Sequence, residues 1–293
     1  MPDTFAVIAA GEMGAGIGKR LTERGARVLT SLKGRGSGSA LRAQQAGMIP
    51  IDDDAELVAQ ATLILSVVPP GQAIALAERF APALAKASHK PVYIDCNAVA
   101  PATAKRIGEV LAGTNCRYVD GGIVGPPPGP NMNPTLYVSG PFANDARKLS
   151  DYGLKVRPVE GGIGSASALK MSYAGITKGL QAIGAAMILG ASRAGCAEAL
   201  KQELSESQPQ VLASLSRSLP RMFPKAYRWV AEMEEIAAFL GNDTASRDMY
   251  LGMARLYERI ASGNAKESAA AQQELAALAE FCAPLPQARE KAS

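Results

Sequence analysis

The order of the apolar runs constrains the fold of this 293-residue chain more than any other feature. Up to about residue 160, short runs rich in β-branched residues alternate with segments whose apolar residues recur at helical spacing. The runs lie at 5–9, 26–30, 63–68, 92–94, 117–119, 135–138 and 155–159, and helical spacing occurs at 55–61, 72–84 and 102–111. Because strand–helix–strand alternation favours right-handed crossovers, this half predicts a mostly parallel sheet.

The second half of the chain has a different hydrophobic pattern, since the short β-branched runs disappear after Gly164. One long helix is predicted at 165–194, and further helices are predicted at 196–217, 224–240, 243–262 and 265–283. The polar tail after Pro284 is expected to fray. The predicted fold class is therefore α/β, with a mostly parallel sheet domain at residues 1–162 and an all-α domain at residues 163–293.

Composition excludes several classes of function. The net charge of +4 is mild and no basic block occurs, so nucleic-acid binding has no compositional support. A single histidine, His89, and four scattered cysteines without a C-x-x-C pair argue against a metal site of the zinc type. Unpatterned cysteines, a start without signal-peptide character and no apolar run of membrane-spanning length predict a cytoplasmic protein without membrane contact.

A glycine turn follows the first apolar run, with the pattern Ala9-x-Gly11-x-x-Gly14. Glycine in such a turn lets the backbone approach a pyrophosphate, which then binds at the N-terminus of the next helix. Alanine in the first position departs from the usual glycine. The turn predicts a Rossmann-type, dinucleotide-binding domain, and the alternative is a tight turn that only packs a helix on a sheet.

The residues about 20 positions after the turn indicate which dinucleotide is bound. An acidic residue there would bind the ribose 2′-hydroxyl, but none occurs before Asp52. Ser31, Lys33 and Arg35 instead suit a phosphate, which favours NADP (NADPH) over NAD. The alternative is a solvated basic loop. The acidic run at 52–54 is interpreted as a helix N-cap rather than a metal site.

Three further blocks join the glycine turn in a resemblance to a known family. They are 65–70, which ends in Val68-Pro69-Pro70, then 95–101, which begins Asp95-Cys96-Asn97, and 161–170, a glycine-rich lead into Lys170. Together they resemble the β-hydroxyacid dehydrogenase and 6-phosphogluconate dehydrogenase superfamily. The phosphogluconate-dehydrogenase-like branch with a short helical C-terminal domain is the most similar.

The resemblance implies an NAD(P)-dependent oxidoreductase that forms a homodimer and acts on a small-molecule substrate. Lys170 would be the general acid/base on the substrate oxygen, and Asn97 would lie near the nicotinamide and the substrate. Cofactor contacts are implied for the glycine turn and the block at 65–70. The residues concerned are Gly11, Glu12, Met13, Gly14, Val68 and Pro69.

The helix that carries the lysine supports a site without reference to the family. It is apolar or small almost all round, yet Lys170, Thr177 and Gln181 fall within about 40° of one another, with Tyr173 beside them. A polar stripe on an apolar helix needs water or a ligand, and partial desolvation lowers the pKa of a lysine. Tyr173 and Thr177 are therefore candidate substrate contacts. The alternative for Lys170 is an ion pair.

Departures from the family pattern bear on the substrate. In the loop after Asp120, valine replaces an expected serine at Val124 and Pro126 lacks an N–H, so two donors for a carboxylate are missing. Gly122, Val124 and Gly125 are the candidate substrate contacts in this stretch. Because the two donors are missing, we expect the substrate to be a secondary alcohol or ketone that is hydroxyacid-like or larger and less acidic. The alternatives are an imine reductase-like enzyme and a non-catalytic NADPH-binding sensor.

Overall fold

The computed structural model describes residues 2–284, so the predicted fraying of the tail concerns residues that lie outside the described ones. The chain divides into two compact units, residues 1–173 and 174–293. The first unit holds the sheet, and every element described after Pro158 is a helix. A domain boundary at residue 162 stays a prediction.

The first unit is built on one eight-stranded sheet with the order β3-β2-β1-β4-β5-β6-β7-β8. Strands β1 to β6 run parallel, β7 is antiparallel to β6, and β8 is parallel to β7. The strands are β1 Thr4–Ile8, β2 Arg27–Thr30, β3 Ile49–Pro50, β4 Leu63–Ser66, β5 Val92–Asp95, β6 Arg117–Val124, β7 Thr135–Ser139 and β8 Lys155–Pro158. The mostly parallel sheet is confirmed.

Both faces of the sheet are covered, because the central strands are apolar on both sides. In β1, Phe5 and Val7 belong to one buried cluster, and Ala6 and Ile8 belong to another on the opposite face. Near-continuous apolar strands are typical of a sheet between two helical layers. The helices of this unit are α1 Glu12–Glu23, α2 Ser37–Gln45, α3 Asp54–Gln60, α4 Ala73–Lys86 and α5 Pro101–Ala112.

The helical half follows the predicted order with one correction. The predicted helix at 196–217 is two helices, because Pro209 begins a new helix after the break at Gln208. Pro220, in contrast, lies inside a helix. The helices are α6 Ser165–Arg193, α7 Ala197–Ser207, α8 Pro209–Met222, α9 Ala226–Leu240, α10 Thr244–Asn264 and α11 Ala269–Cys282.

Helix α6 is the one helix in residues 2–284 that is long and apolar enough to cross a membrane by length and composition. Its most apolar stretch has a mean hydropathy of 1.2, and 44% of that stretch is buried within the protein. Core helices of proteins that never meet a membrane pass the same test, so this helix is weak evidence for one.

Candidate functional site

Three parallel strands, β1, β4 and β5, end in one row at the carboxyl edge of the sheet, and the row continues to Asp120 in the middle of the longer strand β6. Ile8 of β1 pairs with Ser66 of β4, Ser66 pairs with Asp95 of β5, and Asp95 pairs with Asp120 of β6. The order in which the chain adds strands reverses between β1 and β4, and ligands of such sheets bind in the crevice at that reversal. The glycine turn, Val68, Asn97 and Gly122 all follow this row, so the sheet brings these predicted site residues to one edge.

The glycine turn has the geometry of a dinucleotide cradle. Gly11 is the N-cap of α1 and provides no side-chain cap, and a Cβ on Gly11 would meet no atom within 4 Å. A Cβ on Gly14 would lie 1.9 Å from the Ala9 carbonyl oxygen, so only glycine lets α1 pack this closely. Ala9 itself does not have a positive φ, which explains why alanine is accommodated there. Open space beside Gly11 at a helix N-terminus fits a pyrophosphate.

Glu12 and Met13 open α1 immediately after this turn, and cofactor contacts by these residues, Gly14, Val68 and Pro69 stay predictions. At the end of β2 the three predicted phosphate ligands differ in availability. Ser31 is buried and accepts a hydrogen bond from Arg79 Nη2 at 2.8 Å, whereas Lys33 is exposed and half-buried Arg35 donates to Gln72 Oε1 at 3.3 Å. A phosphate at this position would therefore meet Lys33 before Ser31.

Asn97 is fully engaged inside the protein. Its Oδ1 accepts from the Val68 N–H at 2.6 Å, and its Nδ2 donates to Ser66 Oγ at 2.8 Å and to Asp95 Oδ1. Because Oδ1 binds Val68 and Nδ2 binds Asp95, Asn97 holds the Val68-Pro69 turn to the end of β5. A contact from Asn97 to substrate or nicotinamide stays a prediction, and it would have to use the second lone pair of Oδ1.

Asp95 is buried with only part of its hydrogen-bonding capacity used. Its Oδ1 accepts from Asn97, but its Oδ2 has no hydrogen-bond partner among the described residues. Burial, reinforced by the neighbouring Asp120 carboxylate, raises the pKa of Asp95 to about 7. This carboxyl group therefore keeps its proton close to neutral pH.

Asp120 anchors the helix that carries Lys170. Its Oδ2 accepts from the backbone N–H groups of Gly164, Ala166 and Ser167 at 2.9 to 3.1 Å and from Ser139 Oγ at 2.8 Å. Its Oδ1 accepts from Ser167 Oγ at 2.6 Å. A carboxylate at a helix N-terminus satisfies N–H groups that have no partner within the helix. No sequence signal links Asp120 to this role, because the capped residues lie more than 40 positions later.

Lys170 is half-buried near the start of α6, directly beside β6. A Cβ on Gly122 would lie 2.9 Å from Lys170 Cβ and 3.0 Å from the Ala166 carbonyl oxygen, so glycine is required for this close approach. The strand and the Asp120 cap thus fix the position of Lys170 at the carboxyl edge. Further along α6, the Tyr173 side chain is 49% exposed.

The distal part of the predicted polar stripe lies about two turns after Lys170. Thr177 Oγ1 lies 3.5 Å from the Ala174 carbonyl oxygen, and Gln181 Nε2 donates to the Thr177 carbonyl oxygen at 3.2 Å. Gln181 Oε1 is buried with no hydrogen-bond partner among the described residues. Substrate contacts by Tyr173 and Thr177 stay predictions.

The family described as the NAD binding domain of 6-phosphogluconate dehydrogenase matches residues 4–150, about half of the chain. The chain belongs to this family. In the helical half, a domain family of unknown function, DUF1932, matches residues 191–260. The family predicted from the four sequence blocks is confirmed.

Solved structures extend the likeness over the whole fold. A conserved hypothetical protein from Sinorhizobium meliloti 1021 is 27% identical, with 96% of this chain and 97% of that chain covered and a TM-score of 0.68. The 3-hydroxyisobutyrate dehydrogenase of Mycobacterium tuberculosis, with L-serine, is 18% identical over 97% of this chain and 100% of that chain, with a TM-score of 0.64.

The imine reductase of Myxococcus stipitatus has the same fold. A variant with NAD⁺ is 18% identical, with 97% and 100% coverage and a TM-score of 0.59. The enzyme with NADP⁺ is 17% identical, with 96% and 100% coverage and a TM-score of 0.55. The fold is therefore that of NAD(P)-dependent dehydrogenases and reductases of the hydroxyacid dehydrogenase and imine reductase type.

In this member of the 6-phosphogluconate dehydrogenase family, the stretch after Asp120, for which the sequence predicts a loop, instead continues β6 to Val124, and a proline-rich loop follows only from Gly125. Gly125 has a φ of +121° and a Cβ there would lie 3.1 Å from Pro134, so glycine is needed where the loop leaves half-buried Val124. Pro128 then lies against Gly16 of α1, and Arg20 Nη2 donates to the Gly129 carbonyl oxygen at 2.8 Å. The loop therefore packs on α1, and substrate contacts by Gly122, Val124 and Gly125 stay predictions.

The other candidates from the sequence have structural places. His89 is exposed and its Nε2 lies 3.0 Å from the Ala61 carbonyl oxygen. Asp53 caps α3 by accepting from the Glu56 N–H at 2.8 Å, as predicted. Across residues 2–284, no group of three or more His, Cys, Asp or Glu side chains could hold a metal ion.

Proposed function

We propose that this protein is an NADP-dependent oxidoreductase that interconverts a secondary alcohol and a ketone, with Lys170 as the general acid/base. The observation that carries the proposal is the fixed position of Lys170 beside Gly122, next to the row of strand ends. A lysine that extends from this edge of an NAD-binding domain can reach the oxygen of a bound substrate, whereas the single histidine, His89, is exposed and precedes β5 at the opposite edge of the sheet.

The chemistry divides between cofactor and protein. A bound nicotinamide supplies or accepts the hydride at the substrate carbon. The protonated Lys170 amine donates its proton to the carbonyl oxygen during reduction, and the neutral amine removes the hydroxyl proton during oxidation. Gly11 and the N–H groups at the start of α1 would hold the pyrophosphate, and the Asn97–Val68 hydrogen bond holds the turn that flanks the cofactor.

NADP is the proposed cofactor, with NAD as the weaker ligand. Lys33 and Arg35 supply cationic donors for a 2′-phosphate after β2, and no acidic residue follows that strand before Asp52. The substrate is proposed to be hydroxyacid-like or larger and less acidic, because the Val124 side chain has no hydrogen-bond donor and Pro126 has no N–H.

Replacing Lys170 with methionine tests the assignment. We expect NADPH binding to be retained and turnover to fall by about 10²–10⁴-fold, because the general acid/base is lost. The exposed Lys105, replaced in the same way, is the matched control. The assay follows the nicotinamide absorbance with a panel of ketones, alcohols and cyclic imines.

The same panel separates the alternatives. Turnover of imines alone would identify an imine reductase-like enzyme, and NADPH binding without turnover of any compound would identify a sensor. Unchanged ketone reduction by the methionine variant would refute the role of Lys170.

A homodimer is also part of the proposal, and an apolar stripe on α6 supports it. Ile176, Leu180, Ile183 and Met187 recur at spacings of three and four, and they are 49–64% exposed. Such a stripe is the pattern of a helix that packs against another helix. Replacing Leu180 with glutamate should convert a dimer into a monomer in light scattering. Replacing Met249, which is similarly exposed on α10, with glutamate is the control and should leave the dimer intact. A monomeric wild type would refute the proposal.

The proposed location is the cytoplasm. All four cysteines, Cys96, Cys116, Cys196 and Cys282, are free thiols, which is the usual state in a reducing compartment.

A further inference from the structure

An ion pair beside β2 occupies the place where dinucleotide-binding domains distinguish their ligands. Arg79 of α4 donates from Nε to Asp54 Oδ2 at 2.7 Å, and its Nη2 also contacts Asp54 Oδ1. The same Nη2 donates to Ser31 Oγ at 2.8 Å. Three elements, α3, α4 and the end of β2, therefore meet through one guanidinium group.

Ser31 stands about 20 residues after Gly11, where an acidic residue reads the ribose 2′-hydroxyl in NAD-binding domains. Ser31 itself is only 2% exposed, whereas the Arg79 and Asp54 side chains are 28% and 18% exposed. The ion pair is therefore more exposed to solvent than the serine hydroxyl is. Because Ser31 Oγ already accepts from Arg79, its own proton remains available to an acceptor.

The two members of the pair have opposite preferences. A guanidinium group binds phosphate oxygens and has no acceptor, so Arg79 favours a 2′-phosphate. A carboxylate accepts from a 2′-hydroxyl and repels a phosphate, so Asp54 favours the unphosphorylated ribose. In the ion pair each group partly cancels the effect of the other.

We infer that the Arg79–Asp54 pair determines how strongly this protein discriminates between NADP and NAD. The inference rests on the proposed function only in that a dinucleotide binds at this edge of the sheet. It adds to Lys33 and Arg35 a determinant contributed by helices α3 and α4. Either member of the pair can then be removed to shift the preference in a chosen direction.

The test is a titration of NADPH and NADH, followed by nicotinamide fluorescence, for the wild type and for single variants. Asp54→Asn leaves Arg79 without its carboxylate, and we expect the ratio of the NADH to the NADPH dissociation constant to rise about tenfold. Arg79→Met leaves Asp54 facing the ribose, and the ratio should fall about tenfold. Arg117→Met, which removes a cation from the exposed pair with Asp145 at the start of β6, should leave the ratio unchanged.

Opposite shifts in the two variants support the inference. Equal weakening of both nucleotides would assign the pair a purely structural role and overturn it, and Arg79→Lys, which keeps the charge, must then weaken both as well. A wild type that prefers NADH, with variants that still shift in opposite directions, would refute the proposed NADP preference and uphold the role of the pair. No binding of either nucleotide would overturn both.

Discussion

The buried carboxyl group of Asp95 should make the sheet unit lose stability as the pH rises through neutrality. The ordinary pKa of 3.8 is raised to about 7 in the folded protein, chiefly by burial and then by the Asp120 carboxylate. Between these two values the folded state binds a proton that the unfolded state has released. The free energy of unfolding therefore falls as the pH rises across this window. Above pH 7 the fall is complete and the accumulated loss of stability stays constant.

Replacing Asp95 with asparagine removes this titration and keeps a similar shape. The amide oxygen can still accept from Asn97 Nδ2, so the link to the Val68 turn is retained. Integrating the proton linkage from pH 5 to pH 8 gives a loss of about 2–3 kcal/mol in the wild type that the variant does not have. A change in absolute stability on substitution does not enter this figure, because it is the same at every pH.

The assay is urea unfolding followed by far-ultraviolet circular dichroism at pH 5, 6, 7 and 8. The quantity of interest is the difference in unfolding free energy between wild type and Asp95→Asn, which should change by about 2–3 kcal/mol in favour of the variant as the pH rises. Asp151→Asn, at an exposed position, should show no such trend. A constant difference between wild type and Asp95→Asn would refute the raised pKa.

Two other substitutions test the geometry of the carboxyl edge. Gly14→Ala places a Cβ 1.9 Å from the Ala9 carbonyl oxygen, so it should lower the unfolding free energy in urea by about 1–3 kcal/mol and weaken NADPH binding in a fluorescence titration. Gly36→Ala, where a Cβ would meet open space, should change neither quantity. Asp120→Ala leaves buried N–H groups at the start of α6 without an acceptor and should lower the unfolding free energy by about 3–5 kcal/mol. Asp53→Ala, at an exposed cap, should lower it by about 1 kcal/mol, and equal losses in urea would contradict the role of Asp120 as a buried anchor.

The sequence was sufficient for the elements whose residues are apolar at a clear period. The strands that form the centre of the sheet are nearly all buried, so their runs are visible in the sequence. Strand β3 was missed because it has two residues, exposed Ile49 and Pro50, and neither forms a pattern. Helix α2 was missed because it buries only Ala43 and begins with Ser37-Gly38-Ser39, which are weak helix formers.

The site was predictable to the extent that its residues follow strands. The glycine turn, Asn97 and Lys170 could be named because each lies next to a recognisable element. The Asp120 cap of the Lys170 helix and the hydrogen bond from Arg79 to Ser31 could not be predicted, since both join groups that are far apart in the sequence. The direction of the Asn97 amide also depends on three groups from two strands and a turn, and no local pattern encodes it.

Asp95 at the end of β5 pairs with Asp120 in the middle of β6, and the two buried aspartates have different tasks because their hydrogen-bond donors differ. Asp120 accepts five hydrogen bonds, three of them from the backbone at the start of α6, so a buried carboxylate is compensated there. Asp95 is buried with an Oδ2 that has no hydrogen-bond partner among the described residues, and burial together with the nearby Asp120 carboxylate raises its pKa to about 7. Removing the Asp120 charge should therefore lower the pKa of Asp95. The anchor of the Lys170 helix and the support of the Val68 turn are thus coupled through one pair of neighbouring strands.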